Sequence, residues 1–285
     1  MNFIINRKPY TNTRIYIVFF ALFLCLAHAP FQASAGNGGT KNETQAFDSS
    51  IILFAPTSMT NAMHEIIRSF SRAENVSVSS NFESSAEISR LILEGEPANI
   101  YITDDSTQMR DLQRLGVLNV FSVANIVSDK LVLAVPKNNF LEKKLANMAE
   151  IEEKLKFIAK NVSMVIPDPD SDPAGKAAKQ AFEKIGIWDQ VSKKMLRAAN
   201  TRNALYLIYN GNSPGIIYNS DAASEPDVTV LITIPDEYYD KITYQASIVA
   251  EIGKEATRTD SEKFMDFLKS EETRDIFTRY GFQIP

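Results

Sequence analysis

Ser58 stands at the start of a helix, a position where a protein can bind an anion. The apolar run Ile51–Ala55 has the length of a strand and ends at Pro56. From Met59 onward, apolar residues recur at helical spacing. The strand therefore delivers Ser58 to a helix N-terminus, where free N–H groups and the helix dipole favour a negative charge. Taken alone, Ser58 is more simply explained as an ordinary helix cap.

Three further junctions between a strand and a helix carry residues of the same kind. They are Ser84-Ser85, Asp172-Pro173-Ala174 and Asn200-Thr201. In open α/β sheets, ligands bind at the carboxyl ends of strands, where such turns lie. Tyr218, at the end of an apolar strand, adds a phenolic hydroxyl. Each junction alone is explained by capping, but together they can line a site in which neutral N–H and O–H groups surround an anion.

Apolar stretches of strand length alternate with helical patterns after residue 51, which predicts an α/β fold with largely parallel sheets. Near the end, strands at 228–234 and 244–249 follow each other without a helix between them. This order indicates that the chain crosses back to complete an earlier lobe. We expect lobe 1 to comprise 36–130 plus 236–285 and lobe 2 to comprise 131–235, each with a mostly parallel sheet flanked by helices. Each lobe then supplies two of the four junctions to a cleft between the lobes.

Residues 1–35 have the pattern of a secretory signal peptide. Three basic residues precede the apolar stretch Ile15–Ala27, which is short for a membrane span. Ala33-Ser34-Ala35 then fits the small-x-small cleavage pattern. We expect cleavage near Ala35 and export to the periplasm. The apolar surroundings of Cys25 argue against a lipoprotein signal.

The charge and composition of the chain exclude several functions. The net charge is −5, and losing the three basic residues of the signal takes it to −8. Such an acidic chain is unsuited to binding nucleic acid or an anionic membrane through a basic surface. Cys25 and His28 leave with the signal, so His64 remains without a cysteine or a second histidine. This excludes a Cys/His zinc site, and no set of nucleophile, base and orienting residue is apparent, which disfavours an enzyme.

Six segments of the sequence together resemble the periplasmic molybdate-binding proteins of ABC transporters. In chain order they are FAPTSMTNAM, FESSAEISRLILEGEPANIYITDD, IPDPDSDPAGKAAKQAFEKIGIWD, NTRNALYLI, GIIYNSDA and FLKSEETRDIFTRYGF. The resemblance covers nearly all of Ile51–Phe282. The succession of PAGKAA and GIIYNSDA makes it specific within the type II solute-binding proteins.

This resemblance implies a two-lobed type II fold that holds one tetrahedral oxyanion, molybdate or tungstate, between its lobes. It implies that the protein is not an enzyme, needs no cofactor and binds metal only as the oxyanion. The implied partners are that ion and the membrane permease of an ABC importer, with no nucleic acid and with the protein itself a monomer. The ligand positions of the family fall on Ser58, Ser85, Ala174, Thr201 and Tyr218. These residues lie where helix caps and hydroxyls already indicate an anion site.

Three departures from the pattern of the family lie beside the expected site. Pro56 removes one N–H donor, Glu83 places a carboxylate two residues before Ser85, and Thr201 stands where valine is common.

We expect a lining made only of hydrogen-bond donors. Such a lining suits a fully deprotonated dianion and disfavours hydrogen phosphate, whose proton needs an acceptor.

Two other functions stay open at this point. One is a binding protein for a different ion, sulfate or ferric iron. Iron is suggested by Tyr238-Tyr239, because ferric-ion-binding proteins of this fold class use adjacent tyrosines, although we expect this pair to serve packing at the surface or hinge. The other is an exported enzyme on the same fold.

Overall fold

The computed structural model of the protein describes residues 47, 49–250 and 255–285. The predicted signal peptide, 1–35, with its cleavage site near Ala35, lies outside the described residues. Among the helices that are described, none combines the length and the apolar character needed to cross a membrane.

Ten strands carry the fold. In chain order they are β1 (Ser49–Pro56), β2 (Val76–Glu83), β3 (Ile100–Thr103), β4 (Ala124–Asp129), β5 (Leu131–Pro136), β6 (Val165–Pro167), β7 (Leu196–Ala198), β8 (Gly215–Tyr218), β9 (Val228–Thr233) and β10 (Ile242–Ile248). The sequence patterns miss β4, because the buried polar residues Ser128 and Asp129 interrupt its apolar run.

Eleven α-helices are described between and after these strands. They are α1 (Thr60–Glu74), α2 (Ser85–Leu93), α3 (Ser106–Arg114), α4 (Phe140–Leu145), α5 (Ile151–Asn161), α6 (Pro173–Ile185), α7 (Trp188–Val191), α8 (Thr201–Gly211), α9 (Asn219–Ala223), α10 (Glu255–Phe267) and α11 (Glu271–Arg279). Two short 3₁₀ turns, Thr57–Met59 and Asp236–Tyr238, precede α1 and β10.

The described strands form two five-stranded sheets, in the orders β2-β1-β3-β10-β4 and β7-β6-β8-β5-β9. In the first sheet, β1 is parallel to β2 and β3, whereas β10 is antiparallel to β3 and β4. In the second, β6 is parallel to β7 and β8, whereas β5 is antiparallel to β8 and β9. The α/β architecture of two sheets flanked by helices is confirmed. Each sheet is mixed, because the strand that follows a crossover from the other sheet runs antiparallel to both of its neighbours. This strand is β10 in the first sheet and β5 in the second.

The chain passes from the first sheet to the second at Lys130 and returns between β9 and β10. The helices that follow β10 pack on first-sheet elements. Phe264 of α10 meets Phe70 of α1 edge to face, with ring centroids 4.9 Å apart. Arg279 of α11 forms an ion pair with Glu65 of α1 at 2.6 Å. The first and last helices of the described chain therefore pack against each other beside the first sheet.

Local sequence rules account for the element that carries Ser58. Ile51 and Leu53 of β1 are fully buried, and Met63, Ile66 and Phe70 bury one face of α1. The helix ends at Asn75, which adopts the left-handed conformation that asparagine tolerates. The largest cluster of buried apolar residues contains residues of both sheets. Ser58 is therefore fixed between a buried strand and a buried helix face.

Candidate functional site

The five residues predicted to bind an oxyanion all lie where strands end and helices begin. Ser58 is in the 3₁₀ turn after β1, and Ser85 is the first residue of α2. Ala174 and Thr201 lie in the first turns of α6 and α8, and Tyr218 ends β8. Each is at most 5% exposed to solvent. Buried hydroxyls and N–H groups at helix starts need partners, so the partners they have in the structure show what these positions can bind.

Ser58 meets a residue that the sequence patterns did not single out. Its Oγ atom lies 2.9 Å from the phenol oxygen of Tyr244 in β10. The Tyr244 ring also stands edge to face with the ring of Tyr218, with centroids 6.2 Å apart. Burial raises the pKa of both phenols well above the ordinary value, so both stay protonated and can donate. Tyr244 thus connects Ser58 of the first sheet to Tyr218 of the second.

Ser85 and Tyr218 meet on one carboxylate, that of Asp104. Ser85 Oγ donates to Asp104 Oδ1 at 2.5 Å, and Tyr218 Oη donates to Asp104 Oδ2 at 2.7 Å. Ser85 belongs to a first-sheet helix and Tyr218 to a second-sheet strand. The two predicted hydroxyls therefore converge on the same carboxyl group from opposite sheets.

Asp104 was missed as a site residue, because Asp104-Asp105 is readily interpreted as the start of α3. In the structure, the two aspartates have different roles. Asp105 caps α3, accepting from the N–H groups of Thr107 at 2.9 Å and Gln108 at 3.3 Å. One aspartate satisfies the cap, so the second aspartate, directly after β3, is the sequence signal for a further role. The expectation of a lining made only of donors is wrong, because Asp104 places an acceptor among them.

Burial is the main influence on the Asp104 carboxyl and raises its pKa. The hydrogen bonds from Ser85 and Tyr218 act in the opposite direction, because they stabilise the ionised form. The Asp104 charge in turn contributes, after burial, to the raised pKa of Tyr218. Asp104 itself is half-buried, and its carboxyl group is held by two neutral donors.

The N–H group of Ala174 is held by the cap of its own helix. Asp172 Oδ1 accepts from the N–H groups of Ala174 at 2.9 Å and Gly175 at 3.3 Å. The predicted cap at Asp172, followed by Pro173, is confirmed. Burial raises the pKa of Asp172 to about 8, and the charge of Asp104 adds to this effect. An incoming anion would have to share the start of α6 with this carboxyl.

Thr201 begins α8, whose cap is Asn200 as predicted, since Asn200 Oδ1 accepts from the N–H group of Asn203 at 2.9 Å. The helix packs against the turn Thr57–Met59 that contains Ser58. The neighbouring residue Arg202 directs Nη2 toward the fully buried Asp221, at 3.8 Å from Oδ1. Burial raises the pKa of Asp221 to about 6, and the Arg202 charge opposes this shift.

The structure therefore brings together three of the five predicted residues through direct contacts: Ser58, Ser85 and Tyr218, joined by Asp104 and Tyr244. Ala174 and Thr201 are connected to them less directly, through the charges of the carboxyls beside them, Asp172 and Asp221, which interact with Asp104.

The tyrosine pair suggested for iron serves other contacts. Tyr238 donates to Glu152 at 2.8 Å. The Tyr239 phenol donates to Asp236 at 3.1 Å and accepts from the N–H group of Leu131 at 3.1 Å. Within residues 47, 49–250 and 255–285, no group of three or more His, Asp or Glu side chains is arranged to hold a metal ion.

Two mixed α/β sheets, with hydroxyls from both meeting in a buried polar site, define a solute-binding protein of the periplasmic type. The sequence matches the family described as bacterial extracellular solute-binding protein over residues 51–283, and the chain belongs to that family. Its members bind solutes and are not enzymes.

Similar proteins include several that are named for an oxyanion. The chain is 30% identical to the molybdate-binding protein ModA of Escherichia coli (strain K12) over 257 residues, which cover 89% of this chain and 96% of that protein. The fold is similar to that of the Azotobacter vinelandii periplasmic molybdate-binding protein, with a TM-score of 0.69, 20% identity and coverage of 82% of this chain and 99% of that chain.

The sulfate-binding protein SubI from Mycobacterium tuberculosis H37Rv is also similar, with a TM-score of 0.69, 17% identity and coverage of 83% of this chain and 87% of that chain. At these identities, the two solved structures establish the fold alone.

Proposed function

We propose that the protein captures molybdate or tungstate between its two sheets and delivers the ion to the membrane permease of an ABC importer. The observation that supports an oxyanion site at this place is the convergence of Ser85 and Tyr218, from opposite sheets, on the carboxyl group of Asp104. A carboxylate is itself an oxygen anion. The donors are therefore already arranged to hold anionic oxygen at this place.

Neutral donors suffice to hold a dianion. Helix N-termini and hydroxyls replace the water around the ion and require no opposing full charge. Here the starts of α2, α6 and α8 and the phenol of Tyr218 supply such groups. The identity with a molybdate-binding relative, over nearly the whole of that protein, supports molybdate or tungstate as the ion. Sulfate is the second candidate, supported by the likeness of the fold to a sulfate-binding protein.

We propose that the two sheets belong to lobes with the limits 36–130 plus 236–285 and 131–235. The strand membership of the sheets is consistent with these limits. The chain crosses between sheets at Lys130 and again between β9 and β10, so these two segments would act as the hinge. Closure of the lobes would bury the ion and present a surface to the permease, as hinge motions of periplasmic binding proteins do.

The remaining parts of the proposal rest on the signal-peptide pattern and on the resemblance to the molybdate-binding proteins. Residues 1–35 act as a signal peptide that is removed near Ala35, and the protein works in the periplasm as a monomer without a cofactor. The ion and the permease are its partners, and nucleic acid is not.

A panel of thermal shifts tests the ligand, using molybdate, tungstate, sulfate, phosphate and Fe(III) with the chain that begins at Gly36. An ion present at about 1,000 times its Kd adds about 4 kcal/mol to the free energy of unfolding. We expect the largest shifts with molybdate and tungstate. The absence of a shift with both, together with a clear shift with another ion, would overturn the proposed ligand.

A further inference from the structure

Asp104 is the one carboxylate that directly accepts hydrogen bonds from two of the predicted ligand residues, among the contacts described. Both of its oxygens are used, Oδ1 by Ser85 and Oδ2 by Tyr218. It is not needed as the cap of α3, because Asp105 fills that role. The carboxyl group of Asp104 therefore affects which ion the site can bind.

A fully deprotonated oxyanion and a proton-bearing one interact differently with such a residue. An ion without a proton has only acceptor oxygens, so it repels the Asp104 carboxylate and competes with it for the same two hydroxyls. A tetrahedral oxyanion that carries a proton can donate that proton to a carboxylate oxygen as a hydrogen bond. Repulsion is then replaced by a charge-assisted hydrogen bond.

Other titratable groups also surround Asp104. Burial is the main cause of the raised pKa of Asp104, Asp172 and Asp221. The charge of Asp105 adds to it at Asp104, and the charge of Asp104 adds to it at Asp172 and Asp221. Two lysines line the same cleft as Asp104: Lys176 is paired with Asp105 at 2.9 Å, and Lys241 is exposed. The phenols of Tyr101, Tyr218 and Tyr244 complete the titratable surroundings. The hydrogen bonds from Ser85 and Tyr218 oppose these shifts and stabilise the ionised form of Asp104, which is the form that can accept the proton of an ion.

We propose that Asp104 is a specificity-determining residue that lets this site bind proton-bearing tetrahedral oxyanions of the hydrogen phosphate and hydrogen arsenate class. Asp104 accepts the proton of the ion as a hydrogen bond, while Ser85 and Tyr218 donate to its other oxygens. This inference rests on the proposed location of the oxyanion site, but not on molybdate being its natural ligand.

The test measures Kd by isothermal titration calorimetry at pH 8 for phosphate, arsenate, sulfate and molybdate. At that pH, phosphate and arsenate carry a proton, whereas sulfate and molybdate carry none. The proteins compared are the unaltered chain, Asp104→Asn and Asp104→Ala. The control is Asp111→Asn, which removes an exposed carboxylate from the adjoining helix α3. Circular dichroism and thermal melting establish that each variant is folded.

We expect the unaltered protein to bind phosphate and arsenate. In Asp104→Ala, the ratio of the phosphate Kd to the molybdate Kd should rise about tenfold or more, because one charge-assisted hydrogen bond is lost and one repulsion is removed. Asp104→Asn should shift this ratio in the same direction but less, since the amide keeps one acceptor oxygen. Asp111→Asn should leave the ratio unchanged.

Binding of the four ions distinguishes a failure of the Asp104 role from a failure of molybdate as the ligand. Molybdate binding without phosphate or arsenate binding, or an unchanged ratio in Asp104→Ala, overturns the role of Asp104 and leaves the molybdate proposal in place. Phosphate or arsenate binding that Asp104→Ala weakens, without molybdate binding, supports the role of Asp104 and overturns molybdate as the ligand. If none of the four ions binds, both proposals are overturned.

Discussion

Lys176 Nζ donates a hydrogen bond to Asp105 Oδ2 across 2.9 Å and so joins α6, next to the second sheet, to the start of α3, next to the first. Asp105 is 9% exposed, whereas the Lys176 side chain is 43% exposed. The pair lies one residue from Asp104, which itself joins the two sheets through Tyr218. Contacts of this kind between elements of different sheets are the ones that a closed arrangement would gain.

Replacing Lys176 with methionine should weaken oxyanion binding by about two- to fivefold, because a partly exposed ion pair contributes little. The change is made at Lys176 because Asp105 also caps α3. Calorimetry with the ion selected by the thermal-shift panel measures the effect, which should shrink at high salt as screening increases. Lys156→Met is the matched control, since it removes an exposed pair with Glu152 within one helix. An equal loss in both variants would contradict a role for Lys176 in closure.

Replacing Ser58 or Ser85 with alanine should raise the Kd for the bound oxyanion by about tenfold to a hundredfold, because a hydrogen bond to a charged group is lost. Calorimetry on the folded variants gives the values. Tyr239→Phe is the comparison, since its phenol bonds Asp236 and the N–H group of Leu131, away from the predicted ligand residues. A larger effect of Tyr239→Phe than of either serine change would favour the iron interpretation.

Asp129→Asn should change how stability depends on pH. Asp129 is 3% exposed, and burial raises its pKa from 3.8 to about 8. Between these values, the folded protein keeps a proton that the unfolded chain has lost. Its contribution to stability is therefore complete below pH 3.8 and is lost as the pH rises through about 8.

An asparagine cannot ionise. The free energy of unfolding of Asp129→Asn should therefore increase relative to that of the unaltered protein as the pH is raised from 5 to 8. The gain is at most about 1.4 kcal/mol per pH unit. Urea denaturation at a series of pH values measures it. Asp266→Asn is the control, because that side chain is 84% exposed. A constant difference between Asp129→Asn and the unaltered protein across this range would show that Asp129 titrates normally.

Gly175→Ala should destabilise the protein by about 1–3 kcal/mol, because an added Cβ has no space. It would lie 2.3 Å from the carbonyl oxygen of Pro167 and 2.6 Å from that of Asp168, where α6 approaches the end of β6. Denaturation with urea measures the loss.

Gly211→Ala is the matched control for this crowding. At Gly211 the added Cβ would meet only Ser213 Oγ, at 3.9 Å, so its stability should be unchanged or raised by up to about 1 kcal/mol. Equal effects of the two substitutions would show that α6 can move away from β6 without cost.

The local features of the site can be predicted from the amino-acid sequence. Asp172 with Pro173, and Asn200, are recognisable as helix caps because capping depends on residues within one turn. The apolar periodicity likewise placed Ser58 between a strand and a helix. The positions of the five predicted ligand residues in their elements could therefore be read without the tertiary structure.

Which of these residues are in contact depends on the tertiary fold. Tyr218 and Asp104 are 114 positions apart in the chain, and Ser58 and Tyr244 are 186 apart. Their contacts depend on the insertion of β10 beside β3 and on the packing of the two sheets, which no local pattern specifies. The same packing turned Asp104 from an apparent helix-start residue into an acceptor among donors. Long-range strand pairing thus determined the chemistry of the site, because it selects which side chains share one buried space.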